Sequence, residues 1–336
     1  MSIRLNETLH TMGEIKTEII NAAKQIGDLV DSLILRHAPA KPLEPTMYID
    51  LEGVNLCREG TLSIFTLLID TGTPTPSVYL IDVFSLGMQT FETTGAKGQT
   101  LKDVLQNENI PKVFFDVRND ADVLFAHFGV ALQGVQDVQL MESASRATAR
   151  SRKHLNSLAR CVEQYSPDRR GLASWKLAKE NGTKLFNPKS GGSFTVFEKR
   201  PIPSEIISYC VGDVQYLPQL WKRFEVAANM QRDLVNNETR ERVLASQRPG
   251  YKPNGPSRTL APWNEDQNRT LDRCHGPGPR AHFDDDEAWD FDDDKVWDFD
   301  YEEDFVFSTY DDWVDDSPTN CRDIIPEWDL DLYYSD

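Results

Sequence analysis

Three apolar runs follow one another with only brief turns between them: MYIDLEG (47–53), TLSIFTLLID (61–70) and SVYLIDV (77–83). Each is rich in Ile, Leu, Val, Phe and Tyr, residues that suit a pleated, half-buried surface. Strands joined this closely read as an antiparallel meander. The pattern then changes. TLKDVLQNENI (100–110) reads as a helix, KVFFD (112–116) as a short buried strand, NDADVLFAHFGV (119–130) as a helix and GVQDVQL (134–140) as a strand or its edge. From 141 to 227 the chain is mainly helical, interrupted by the Gly/Ser/Lys loop FNPKSGGSF (186–194). That order predicts an α/β fold with a mixed central sheet, a meander joined to parallel strands and flanked by helices.

The flanks differ from this body. Ile15, Ile19, Ala22, Ile26, Leu29 and Leu33 recur by four and three, which fits a helix packed on its own domain or a coiled-coil seam. The residues around Ile19–Ile20 also suit a short strand. APAKPLEPT (38–46), with three prolines, reads as a linker. Residues 1–45 are therefore assigned to a helical segment and linker, 46–228 to the main domain and 229–263 to a charged, then turn-rich extension. Residues 264–336 hold 25 of the 54 Asp and Glu but 5 of the 36 Lys and Arg. This stretch contains the imperfect repeat AWDFDDDKVWDFDYEED (288–304) and no core pattern, so it reads as a disordered acidic tail. Three roles fit it: a solvating segment, a protein-binding segment anchored by Trp289, Trp297, Trp313 and Trp328, or a nucleic-acid mimic lying over basic surface.

Five cysteines without CxxC spacing argue against a disulfide framework or zinc ribbon, and favour a reducing, intracellular setting, nuclear or cytoplasmic. The N-terminal residues have no apolar core and do not read as a secretory signal. No stretch of 18 continuous apolar residues is present, so no membrane span is expected.

Asp50 and Glu52 stand two apart on a strand and so emerge from one face, after Tyr48 in the same alternation. A solvent-facing stripe would look the same. Asp120 follows the buried strand KVFFD at the start of a helix, where an Asp is also favoured as a cap. Asp116 and Asp122 compete with it. In YCVGDVQYLPQLW (209–221), Tyr209 and Asp213 stand four apart on an otherwise apolar helix and share a face. In a chain this rich in tyrosine and acids, such a spacing arises by chance about once. Gathering several carboxylates is costly unless they hold hard cations, since like charges raise one another's pKa.

The order of these motifs resembles the DEDD superfamily of 3′–5′ exonucleases, in the subgroup whose last motif carries tyrosine. IDLEGVNLCREGTLSIFTLLID is similar to that family's first motif and hairpin, KVFFDVRNDADVLFAHFGVALQGVQDVQL to its second, and FEKRPIPSEIISYCVGDVQYLPQLW to its third. The details resemble the ribonuclease D and Werner-helicase exonuclease branch over about 46–227. The resemblance implies a ribonuclease H-like fold and hydrolysis from a 3′ end with two divalent ions, Mg²⁺ or Mn²⁺. Asp50 would bridge both ions, Glu52 and Asp213 would complete the first site, Asp120 would hold the second ion, and Tyr209 would orient the attacking water or help deprotonate it. Asp120 is preferred because it aligns best with the family's spacing to the downstream leucine and glycine.

The expected partner is a single-stranded 3′ end of RNA or DNA. Lys176, Lys179, Lys184, Lys189, Lys199 and Arg200 are candidates to track a phosphate backbone, equally well read as a solvated face and loop. Lys189, beside two glycines, is the leading one, with Lys199 and Arg200 next. The alternative function is a nuclease-fold module that binds nucleic acid or protein without cutting.

Overall fold

The computed structural model describes residues 15–37, 45–70, 76–166, 168–228 and 231–274. The chain enters through β1 (Lys16–Ile20) and α1 (Ala23–Arg36). The meander follows as β2 (Met47–Glu52), β3 (Ile64–Ile69) and β4 (Ser77–Asp82), paired antiparallel with Asp50 opposite Thr66 and Glu52 opposite Ile64. Two single-turn helices, α2 (Val83–Leu86) and α3 (Gln89–Glu92), lead to α4 (Leu101–Gln106). Then come β5 (Lys112–Phe114), α5 (Arg118–Phe128) and β6 (Val135–Asp137), with β5 parallel to both β2 and β6. The six-stranded sheet has the order β1-β4-β3-β2-β5-β6. It is the mixed, ribonuclease H-like sheet expected from the sequence.

The rest is helical: α6 (Val138–Ala144), α7 (Leu158–Tyr165), α8 (Arg169–Phe186), α9 (Ser204–Gln215), α10 (Leu217–Ala228), α11 (Arg232–Ser246) and α12 (Glu265–Cys274). No helix among the described residues is long and apolar enough to cross a membrane.

Alternation along the strands divides the interior in two. Met47, Ile49, Leu51, Phe65, Leu67 and Ile81 face α1, α4 and α5. Tyr48, Ile64, Leu68, Val78 and Leu80 face the layer made by α6 to α10. Asp50 and Glu52 share the phase of Tyr48, so they point into the second layer, against α9.

Four sequence expectations differ from the structure. The stretch from Ile15 to Leu33 is not one helix; it opens with the short strand that also suited the residues around Ile19–Ile20. Residues Lys16–Ile20 pair in parallel with β4, and the helix begins only after the Gln25 side chain accepts the Asn21 and Ala22 N–H groups, both at 3.1 Å. β1 shares the sheet with the strands after 46, and α1 buries Ile26, Val30 and Leu33 in the sheet's own core, so neither stands apart from it. The strand at 134–140 is shorter than read, because Asp137 accepts the Gln139 N–H and starts α6. The acidic segment does not lose structure at 264: α12 is held by buried Leu271 and by the ion pair of Asp272 with Arg152, itself 1% exposed. The acidic repeat, the tail's four tryptophans and the expected disorder fall in 275–336, outside the described residues.

Candidate active site

Asp50 and Glu52 end β2, and α9 crosses them with Tyr209 and Asp213 one turn apart. Each of Asp50, Glu52 and Asp213 offers an oxygen, and these oxygens lie within 4.8 Å of one another. Glu52 and Asp213 are buried, and Asp50 is half-buried. One Glu52 oxygen, Oε2, is buried without a hydrogen-bond partner. Three hard oxygen donors at this spacing, one of them orphaned, fit a divalent cation.

The electrostatics follow from the crowding. Burial, then the Asp213 charge, pushes the Asp50 carboxyl up to about 8. Burial and the Asp50 and Asp213 charges push Glu52 up too. The Tyr209 hydroxyl is raised by burial and by the same carboxylates, so it keeps its proton. A group whose folded pKa lies above its unfolded value stabilises the fold below the unfolded pKa and loses that contribution as pH rises through the folded one. In chelator, stability from Asp50 should therefore fall as pH rises from 3.8 toward about 8. Buried Lys112, drawn down to about 7 by desolvation, acts oppositely above that pH. Urea midpoints between pH 4 and pH 7 should thus decline, and Asp50→Asn should flatten the decline. An unchanged slope in that variant would contradict this assignment.

Asp120 lies in the first turn of α5, 7% exposed and outside the group of three. It is close enough that the Asp50 charge, after burial, raises its pKa. Its two competitors are engaged elsewhere. Asp122 is fully buried and accepts both the Arg58 backbone N–H and Nε, each at 2.7 Å. Asp116, in the left-handed region at φ 61°, is gripped by Arg118. Burial would raise its pKa, but the Arg118, Arg242 and Arg258 charges hold it well below the carboxylate range.

The turn that aims Asp120 is held from outside. Asp137 accepts the Asp116 N–H at 3.0 Å and the Val117 N–H at 3.3 Å. Arg242 of α11 pairs with Asp137 at 2.7 Å and reaches Asp116 at 3.5 Å. Arg258 donates to Asn119 at 2.7 Å. Arg58, just after the first motif, donates to the carbonyls of Ser246 at 2.6 Å and Pro249 at 3.0 Å. Residues 242–258 thus clamp both early motifs, a role the sequence did not signal.

Lys179 of α8, expected among the lysines that could track a phosphate backbone, is instead turned onto Asp213. Its Nζ lies 2.6 Å from Asp213 Oδ1 and 4.1 Å from the Tyr209 ring centroid. The spacing held a clue: Leu172, Trp175, Lys179, Gly182 and Phe186 recur by three and four, so position 179 falls in the stripe that faces α9. Gly182 permits that contact, since a Cβ there would meet Tyr209 Cβ at 2.6 Å. Gly182→Ala should push Tyr209 aside, lowering turnover at least about tenfold if that hydroxyl orients the attacking water. Turnover assays at saturating metal check this, and wild-type rates would show that Tyr209 tolerates the shift.

Lys189 and Lys199 are exposed, and among the described residues neither has an ion-pair partner. Arg200 is instead built into the fold: it pairs with Asp82 and donates to the carbonyls of Ser63 at 3.1 Å and Phe197 at 2.8 Å.

The chain was compared with known proteins. Over 99 residues it is 29% identical to the piRNA biogenesis protein EXD1 of Mus musculus; the match covers 30% of this chain and spans 15% of that protein. Trypanosoma brucei RNase D in complex with GMP superposes with a TM-score of 0.59 at 21% identity, over 80% of this chain and 74% of that one. The same enzyme in complex with RNA U12 gives 0.59 at 20% identity, over 80% and 82%. Both share the fold. The 3′–5′ exonuclease family model matches residues 26–228, beginning inside α1 rather than at 46 and ending at the last residue of α10. This chain belongs to the 3′–5′ exonuclease family.

Proposed function

We propose that the chain is a metal-dependent 3′–5′ exonuclease of the tyrosine-containing DEDD subgroup, removing nucleotides from a single-stranded 3′ end of RNA or DNA. One observation carries this reading: Asp50, Glu52 and Asp213 converge within 4.8 Å beside Tyr209, with Asp120 in electrostatic reach. Mg²⁺ or Mn²⁺ ions held by Asp50, Glu52 and Asp213, with Asp120, would supply charge neutralisation at the attacking and leaving oxygens.

The chain's own groups do the rest. The Tyr209 hydroxyl, raised by burial and by the neighbouring carboxylates, would orient the attacking water by a hydrogen bond or help deprotonate it once cations neutralise those acids. The clamp on the second motif holds Asp120 in place through the reaction. Exposed Lys189 and Lys199 are offered to the phosphate backbone, whereas Arg200 is committed to Asp82. The solved complexes of the trypanosomal relative with GMP and with an RNA agree with a nucleic-acid substrate.

The test is a matched assay on 5′-labelled single-stranded RNA and DNA with Mg²⁺, Mn²⁺ or chelator, run beside Asp50→Asn. A shortening ladder that needs the cation and vanishes in the variant is expected. Retarded but uncut strands under every condition would sink the proposal and leave a nucleic-acid-binding module.

A further inference from the structure

We propose that the Lys179 ammonium is an internal cation of the carboxylate centre, which an incoming divalent ion must displace, so that this one side chain sets how tightly the centre takes its metal. The inference rests on reading Asp50, Glu52 and Asp213 as the metal-holding group.

Position 179 lies within an inward stripe whose neighbours lock α8 onto α9. On one side, Trp175 Nε1 donates to the Gly212 carbonyl at 3.0 Å. On the other, Gly182 lies against Tyr209, and the Phe186 ring meets the Tyr209 ring edge-on at 5.1 Å. The backbone that carries Lys179 is therefore fixed, and it delivers the ammonium to Asp213 at 2.6 Å. At this depth the stripe would ordinarily take an apolar side chain. A lysine there makes sense only for its charge.

One ammonium does not satisfy three carboxylates. It bonds Asp213 and leaves Glu52 Oε2 without a partner. A divalent ion among the same oxygens brings twice the charge and reaches all three acids. Two cations do not share so small a space, because their repulsion at a few ångströms is only weakly screened in a partly desolvated site. Lys179 has a way out: its side chain is 23% exposed, and its stem bends without moving the helix. Metal uptake is thus an exchange, with the lysine leaving as the ion enters.

The experiment is a titration of the full chain with Mn²⁺, followed by electron paramagnetic resonance, for wild type, Lys179→Met and Asp50→Asn. Lys179→Met should bind its first Mn²⁺ about tenfold or more tightly than wild type, since the competing charge is gone. Equal or weaker binding overturns the proposal. Because Lys179→Met leaves Asp213 without its counter-ion and is prone to misfold in chelator, a second measurement uses wild type alone. Lys179 is reductively methylated with and without Mn²⁺, and its labelling is read by mass spectrometry. Labelling several-fold faster with Mn²⁺ supports the exchange; unchanged or slower labelling overturns it. Asp50→Asn separates the two readings. If wild type takes up Mn²⁺ and Asp50→Asn does not, while Lys179→Met matches wild type, the lysine inference alone falls. If wild type takes up none, the metal centre falls with it.

Discussion

Asp50→Asn is expected to lower hydrolysis of a labelled strand at least about a thousandfold, while the metal-free protein melts at a higher temperature than wild type. The two effects share one cause. Burial and then the Asp213 charge penalise the Asp50 carboxylate, and the Asp50 charge in turn raises Glu52. Replacing it with an amide removes that repulsion, so the fold gains what the reaction loses. Asp213→Asn should abolish hydrolysis equally, but without the gain, because it strips Lys179 of its partner at 2.6 Å. Ladder assays with saturating metal, and thermal melts in chelator, read both quantities. Substantial turnover in Asp50→Asn would remove the carboxylate centre from the mechanism.

Asp122→Asn and Asp120→Asn should have opposite consequences. Asp122 is fully buried against Arg58 at 2.7 Å, and its loss leaves a guanidinium with no counter-charge, which costs about 3 kcal/mol or more. The variant should unfold at lower urea yet hydrolyse at close to the wild-type rate per folded molecule. Asp120 has no such partner and suffers the Asp50 charge, so Asp120→Asn should be stable and inactive. Urea titration beside specific activity separates them. An inactive, stable Asp122→Asn with a normal Asp120→Asn would mean that the second motif supplies Asp122 instead.

The meander was legible because its strands are apolar and their alternation is set by a period of two. The four acids and the tyrosine were legible only as an ordered set, since each motif alone is common. The edge strand β1 was legible only as an alternative: KTEII mixes lysine and glutamate with isoleucine, and its neighbouring isoleucines run on into the periodicity of α1. Lys179 was grouped with Lys176 and Lys184, although only Lys179 falls in the inward stripe; the other two reach exposed glutamates. Arg200 read as a phosphate contact because its partner Asp82 lies 118 residues away, a pairing that no local spacing reveals. For the same reason nothing near Asp120 announced that Arg242 and Arg258 steady its turn.

That last arrangement has a consequence for how the molecule is made. Synthesis runs from the N-terminus, and a domain generally folds as a unit. The residues of the sheet and the three acids of β2 and α9 have all been added by residue 215. Arg242 and Arg258 come afterwards. A chain ending at residue 215 would hold every carboxylate but neither the guanidiniums that steady the turn bearing Asp120 nor the core residues Leu217, Val235 and Leu271, so cutting power should arrive late, with the final helices.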